Sequence, residues 1–129
     1  MQAIEAFRIA PGLESGTKGA LLFGEYPVAD LWGRLVEAQF ALDDGGYLVL
    51  ATLDSPYEEE LTILCLDADL HECDRLSIGQ PYTPGLLQEV QLLGPARLRF
   101  RFARPEPWTL DIAPRRQLLG LRTKWLHLR

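Results

Sequence analysis

Residues 96–103 read Ala-Arg-Leu-Arg-Phe-Arg-Phe-Ala, and their alternation limits what the chain can fold into more than any other stretch. At a period of two, Leu98, Phe100 and Phe102 fall on one face and Arg97, Arg99 and Arg101 on the other. A strand whose successive side chains point to opposite faces produces that pattern and a helix does not. One apolar face and one charged face imply an antiparallel sheet with a single side against a core.

Other segments fit the same picture. Residues 37–42, the turn Asp43-Asp44-Gly45-Gly46 and residues 47–53 read as a hairpin, because those four residues tolerate the positive φ of a tight turn. Residues 61–66 and 71–78 around Asp-Ala-Asp-Leu read as a second hairpin, and residues 86–93 and 96–102 around Gly94-Pro95 as a third. Residues 108–112, bounded by Pro107 and Pro114, form a further short strand, giving a meander from about residue 34 to 112.

Two segments carry helical spacing. Val28, Leu31, Trp32 and Leu35 recur as on one helix face, with Pro27 suited to a first turn and Gly33 working against it. Leu118, Leu121, Trp125 and Leu128 do the same, although residues 123–128 alternate equally well as an edge strand. Strands in runs disfavour a parallel βαβ design. The expected class is mainly β (α+β), an antiparallel meander sheet or sandwich with one or two short helices. With 129 residues and 47% apolar content, a single globular domain, 1–129, is expected.

The opening residues carry no basic leader followed by an apolar core and cleavage site, and no run of about 18 apolar residues could span a bilayer. The cytoplasm is the expected compartment, with no membrane partner. Two cysteines do not make a disulfide framework. If residues 68–70 form a loop, Cys65 and Cys73 face each other across the ladder, within reach of oxidation. Cytoplasmic thiols stay reduced, so two small, semi-buried apolar residues are the favoured reading.

Catalytic signatures are missing. The two histidines are His71 and His127, and there is no Gly-x-Ser-x-Gly elbow, phosphate-binding glycine loop or His-Glu-x-x-His helix. The acids between Asp67 and Asp74 lack the turn glycine of a calcium loop. Cys65, His71 and Cys73 lack a Cys-x-x-Cys pair and a fourth zinc ligand, which leaves His71 as an exposed turn residue. Asp54 and Glu58 fit a glycosidase carboxylate pair only as acid-rich turns commonly do. The expectation is no catalytic residue, no metal and no cofactor.

Charge placement is the strongest signal. Residues 43–74 hold ten acids and no Lys or Arg, whereas residues 96–129 hold nine bases and two acids. Three readings are open. The two regions neighbour each other and offset locally. The acids form a negative surface that steers a basic protein. Or Arg97, Arg99 and Arg101, with Trp108 or Trp125, bind nucleic acid, which the net charge of -5 opposes.

At residues 45–59, Gly-Gly-Tyr-Leu-Val-Leu-Ala-Thr-Leu-Asp-Ser-Pro-Tyr-Glu-Glu, the chain resembles small bacterial immunity proteins that accompany secreted polymorphic toxins. A glycine turn, an apolar strand and an Asp-Ser-Pro-Tyr-Glu-Glu loop carry the resemblance. It implies a non-enzymatic inhibitor that covers the site of a basic toxin domain. Asp54, Tyr57, Glu58, Glu59 and Glu60 would then lie at the interface, Tyr57 as aromatic anchor, with Asp67 and Asp69 extending it from the next turn. The alternative is a small-molecule-binding β-rich domain whose pocket is lined by Trp32, Trp108 or Trp125.

Overall fold

A computed structural model of the chain describes residues 1–12, 18–53, 59–79, 86–113 and 125–129. Among the described residues, twelve strands run in chain order: β1 Gln2–Ala3, β2 Phe7–Ala10, β3 Gly19–Phe23, β4 Tyr26–Leu31, β5 Leu35–Ala41 and β6 Tyr47–Thr52. They continue as β7 Glu60–Leu66, β8 Glu72–Gly79, β9 Gln88–Gly94, β10 Arg97–Arg101, β11 Trp108–Ile112 and β12 Leu126–Leu128. All pairings are antiparallel. The strands form a five-stranded sheet in the order β1-β5-β6-β7-β8, a four-stranded sheet β12-β11-β10-β9 and a three-stranded sheet β2-β3-β4.

The five-stranded sheet lies between the other two because β6 and β7 have no polar face. Leu48 and Leu50 of β6, with Leu61, Ile63 and Cys65 of β7, pack against Leu98, Phe100, Leu110 and Leu126 of the four-stranded sheet. The intervening Val49, Ala51, Leu64 and Leu66 pack against Phe7, Leu21 and Leu31 of the three-stranded sheet. Alternate residues of one strand point to opposite faces, so the continuous apolar run needs a cover on each side. The expected hairpins β5–β6, β7–β8 and β9–β10 are present, and β11 follows them. The meander, however, is split between two sheets.

Neither expected helix is seen among the described residues, where no helix is long and apolar enough to cross a membrane. Residues 28–35 instead end β4, pass through Gly33 and begin β5, leaving one sheet for another. A Cβ on Gly33 would lie 3.3 Å from Leu31 Cδ1, so the glycine serves close packing at this crossing. Pro27 pairs with Leu22 at a register shift on edge strand β4, where a missing N–H is tolerated. In the second segment, Leu126–Leu128 forms edge strand β12, and residues 115–124 lie outside the described residues.

The β5–β6 turn works as its composition predicts. Gly45 has a φ of 94°, Gly46 N–H donates to Asp44 Oδ1 at 2.9 Å, and a Cβ on Gly46 would lie 2.6 Å from the Leu66 carbonyl oxygen. The β7–β8 register does not place the cysteines opposite each other. Cys65 pairs with Asp74 and Leu66 with Glu72, so Cys73 is the extra residue of a bulge, and the two cysteines form no disulfide.

Two side chains tie the layers together. Gln39 of β5 accepts from the Ala6 and Phe7 amides at 2.7 Å each and donates to the Phe7 carbonyl at 3.1 Å, joining the central and three-stranded sheets. Asp74 of β8 joins the other pair. Its Oδ2 accepts from the Trp125 amide at 3.1 Å and the Leu126 amide at 2.9 Å, and its Oδ1 from the Arg75 amide at 2.8 Å. A carboxylate holding several backbone amides is a strong, partly desolvated acceptor. Asp74→Ala is expected to lower unfolding stability by about 1–3 kcal/mol and to speed hydrogen exchange at Leu126. Asp74→Asn, which keeps one acceptor oxygen, should cost less; urea titration and amide exchange check both.

Candidate functional site

Among the described residues, the acids of residues 43–74 other than Asp74 stand at the two ends of the central sheet, because β6 and β7 between them are buried. At one end the β5–β6 and β7–β8 turns lie side by side: a Cβ on Gly45 would meet Ala68 Cβ at 3.4 Å. Asp43, Asp44, Asp67, Asp69 and Glu72 belong to this end or border it. At the other end stand Glu59 and Glu60, where the chain enters β7. Asp54, Tyr57 and Glu58 lie outside the described residues. Glu60 and Asp67 are thus separated by the length of β7, roughly 20 Å at about 3.4 Å per residue. The expected extension of one acidic surface from Glu60 to Asp67 and Asp69 is therefore not a contiguous patch.

Two expected interface residues serve the fold instead. Glu59 is 6% exposed, and its Oε1 accepts from the Leu53 amide at 2.8 Å, closing the chain between β6 and β7. Asp67 is 8% exposed, and its Oδ1 accepts from the Asp69 and His71 amides at 2.9 Å each. Carboxylates that satisfy backbone donors inside a turn are poorly placed to meet a partner. Asp69 and Asp43 are exposed, Glu60 is half-buried, and Asp43 pairs with the Met1 amino group at 2.6 Å. The sequence reading missed Asp43 and Asp44 as members of the acidic end. The signal available for them was their place in the hairpin turn next in space to Asp67.

Asp67, Asp69 and His71 each have a ligand atom within 4.8 Å of the other two, and this group differs from the Cys65, His71 and Cys73 set weighed for zinc. Asp67 is already engaged with the turn, while the His71 side chain, 79% exposed, faces solvent with Nδ1 at 3.6 Å from Asp67 Oδ2. The trio is accounted for by turn formation.

Three of the described arginines pair with acids of their own sheet. Arg97 Nε donates to Asp111 Oδ1 at 2.6 Å, Arg129 Nε to Asp111 Oδ2 at 3.4 Å, and Arg101 Nε to Glu89 Oε2 at 2.6 Å. The hydrogen bond from Arg97, reinforced by Arg129, holds Asp111 below the usual carboxylate range. Among the described residues, no ion pair joins a carboxylate of residues 43–74 to an arginine of residues 97–129. Among the described residues the two regions meet through Asp74 on the Trp125 and Leu126 amides, while Glu72 pairs with Arg75 and Asp43 with the Met1 amino group.

The three tryptophans, each a candidate pocket residue, sit in different surroundings. Trp32 is exposed, with Lys18 Nζ 5.9 Å from its ring centre. Trp108 donates from Nε1 to the Phe102 carbonyl at 2.8 Å and carries the Arg104 guanidinium over its ring at 3.4 Å. Trp125 packs against the core shared by the central and four-stranded sheets. Comparison of the chain with protein-family models, with curated proteins and with solved structures found no match.

Glu59→Ala is expected to destabilise the fold by about 1–3 kcal/mol, because the Leu53 amide loses its acceptor; denaturant unfolding checks it. Burial, with further contributions from Cys73, Asp44, Asp74 and Asp67, pushes the Cys65 thiol up from 9.0 to about 12. A native protein treated with iodoacetamide near neutral pH should therefore be modified at Cys73 and spared at Cys65 until unfolded. The raised thiol also sets a sign. Its contribution to stability is complete below the unfolded value of 9.0 and is lost as pH rises toward about 12, which alkaline unfolding of a Cys65→Ala control would isolate.

Proposed function

We propose that the chain is a non-enzymatic binding protein, an immunity-type inhibitor that neutralises a cognate bacterial toxin by meeting a basic surface with acidic loops. One observation carries this reading: Asp44 and Asp69 stand exposed on adjoining turns, and among the described residues no ion pair joins either to an arginine of the four-stranded sheet, so their negative charge faces solvent. A field of one sign speeds encounter with a complementary surface and penalises wrong partners. The fold supports the reading in a second way, since a core covered on both sides leaves turns and outer faces as the surfaces available for recognition.

In this reading Asp43, Asp44 and Asp69 contribute from one end and Glu60 from the other, with Asp54, Tyr57 and Glu58, which lie outside the described residues, as further expected contacts. Asp67 holds its turn in shape, and Glu59 holds the Leu53 amide. A partner covering about 800 Å² of this chain could touch both ends. The protein would act in the cytoplasm, on a basic protein partner, with no membrane and no nucleic acid in its role.

The test begins with a tagged chain in lysate of its native organism. A stoichiometric basic protein should be captured, and its expression alone should arrest bacterial growth, with rescue by co-expression of this chain. Replacing Asp43, Asp44 and Asp69 with Asn, or Asp54, Glu58 and Glu60 with their amides, should weaken capture and rescue, as should raised salt. Equal capture and rescue by both neutralised variants would remove the acidic loops from the interface; no toxic partner at all would end the inhibitor reading.

A further inference from the structure

The outer face of the four-stranded sheet, away from the acidic ends, is built with features that its ion pairs do not explain. Strand β10 projects Arg97, Arg99 and Arg101 outward. Arg97 and Arg101 have carboxylate partners, whereas Arg99 between them has only the neutral Gln91 Oε1, at 3.1 Å. Four of the five N–H groups of Arg99 remain without a partner among the described residues.

Two cavities lie on either side of Arg101. The smaller, about 200 Å³, is lined by Glu89, Gln91, Arg99, Arg101 and Pro107. The larger, about 440 Å³, has Arg101 and Arg104 on one part of its wall and Leu86, Ala103 and Pro105 on another. Leu86 is 71% exposed, a large apolar side chain left in water at the cavity's edge.

The backbone around these cavities is unusual. Among the described residues, the non-glycine positions with positive φ are Leu70, Glu89 and Ala103, and two of these three, Glu89 at 53° and Ala103 at 57°, line the cavities. The β9–β10 register also shifts between Arg99 and Arg101. Left-handed backbone at a non-glycine residue costs free energy, and it concentrates, like bulges, at sites where side chains must be aimed.

The guanidiniums here are held in place. Arg101 uses Nε on Glu89 and Nη1 on the Pro105 carbonyl, both at 2.6 Å, and keeps three N–H groups unspent. Arg104 sits over the Trp108 ring, its Cζ 3.4 Å from the ring centre, and donates to the carbonyls of Glu106 and Pro107. Fixed forks with unused donors are suited to an oxyanion, since little ordering is left to lose on binding.

We propose that this face binds a small organic oxyanion, a phosphate or carboxylate carried on an apolar body. The head group sits between Arg99 and Arg101 in the smaller cavity, and the body rests against Leu86, Ala103 and Pro105 in the larger. A single-stranded nucleic acid fits less well. Stacking needs open aromatic faces, and Phe100 and Phe102 beside these arginines are buried while Trp108 carries Arg104 over its ring. The site is independent of the inhibitor reading, being on a different sheet and of opposite charge.

The experiment is a titration of the ¹⁵N-labelled chain with four probes: phenyl phosphate, 3-phenylpropionate, inorganic phosphate and benzyl alcohol. Saturable shifts of the Arg99, Arg101 and Ala103 amides are expected with phenyl phosphate or phenylpropionate, and the tighter of the two identifies the head group. Inorganic phosphate should bind more weakly and benzyl alcohol not at all. Arg99→Gln should weaken the organic anion about tenfold or more, the size expected for a charged hydrogen bond, while Arg97→Gln, which lies outside both cavities, should not. Leu86→Ser should weaken the organic anions and leave inorganic phosphate unchanged. No saturable shift with either organic anion overturns the proposal. So does equal weakening by Arg97→Gln and Arg99→Gln, which marks a diffuse basic face, or binding of benzyl alcohol as tight as that of the anions.

Discussion

Two adjacent strands without a polar face decide the architecture. Among β6 and β7 every residue except Tyr47 and Glu60 is buried, including Thr52 and Thr62. Fully burying one Leu or Ile side chain contributes about 1.5–3 kcal/mol, so leaving either face of this pair in water would cost several such terms. One sheet cannot cover both faces. The chain therefore supplies a cover before the central strands, β2 to β4, and another after them, β9 to β12. Gln39 and Asp74 then fix the covers with buried or half-buried hydrogen bonds to backbone.

That same constraint sorts the charge. Within β6 and β7 there is no room for ionised groups, so the described acids of residues 43–74 stand at turns and strand ends, apart from Asp74 of β8, which accepts the backbone amides at the start of β12. The four-stranded sheet has one wet face, and arginines take it at every second position of β10. Separation of charge along the sequence becomes separation in space, with acids at sheet ends and arginines on a sheet surface. The arginines nevertheless find acids on neighbouring strands, Asp111 and Glu89, so the basic sheet is largely balanced by itself. The proposed oxyanion site occupies the point where that balance fails, at Arg99.

How much of this was legible depended on whether a pattern is local. The three hairpins were, because Asp43 to Gly46 and the Arg97 to Phe102 alternation state turn and face within a few residues. Stacking in three layers was not, since a continuous apolar run is compatible with burial on both sides but names no partner for either. The helical spacing of Val28, Leu31, Trp32 and Leu35 failed for a related reason: those residues belong to two strands of different sheets, and a window that spans a crossing mixes two periods. Among the site residues, composition alone could not separate Asp69, which meets solvent, from Asp67 and Glu59, which satisfy backbone amides. Only the turn geometry distinguishes an acid that caps a loop from one that advertises it.

The doubly covered pair has a consequence for biogenesis. A chain made from its N-terminus has β2 to β4 in hand when β6 and β7 emerge, and one face can be sealed at once. The other face, carrying Leu48, Leu50, Leu61 and Ile63, waits until Leu98, Phe100, Leu110 and Leu126 have been synthesised. For that interval the strongest strand-forming segment of the molecule is apolar, low in charge and uncovered on one side, which is the composition that favours intermolecular sheet growth. The acids crowded at both of its ends, Asp43 and Asp44 before β6 and Glu60 and Asp67 flanking β7, then have a second use as gatekeepers, repelling a neighbouring copy of the same half-built sheet.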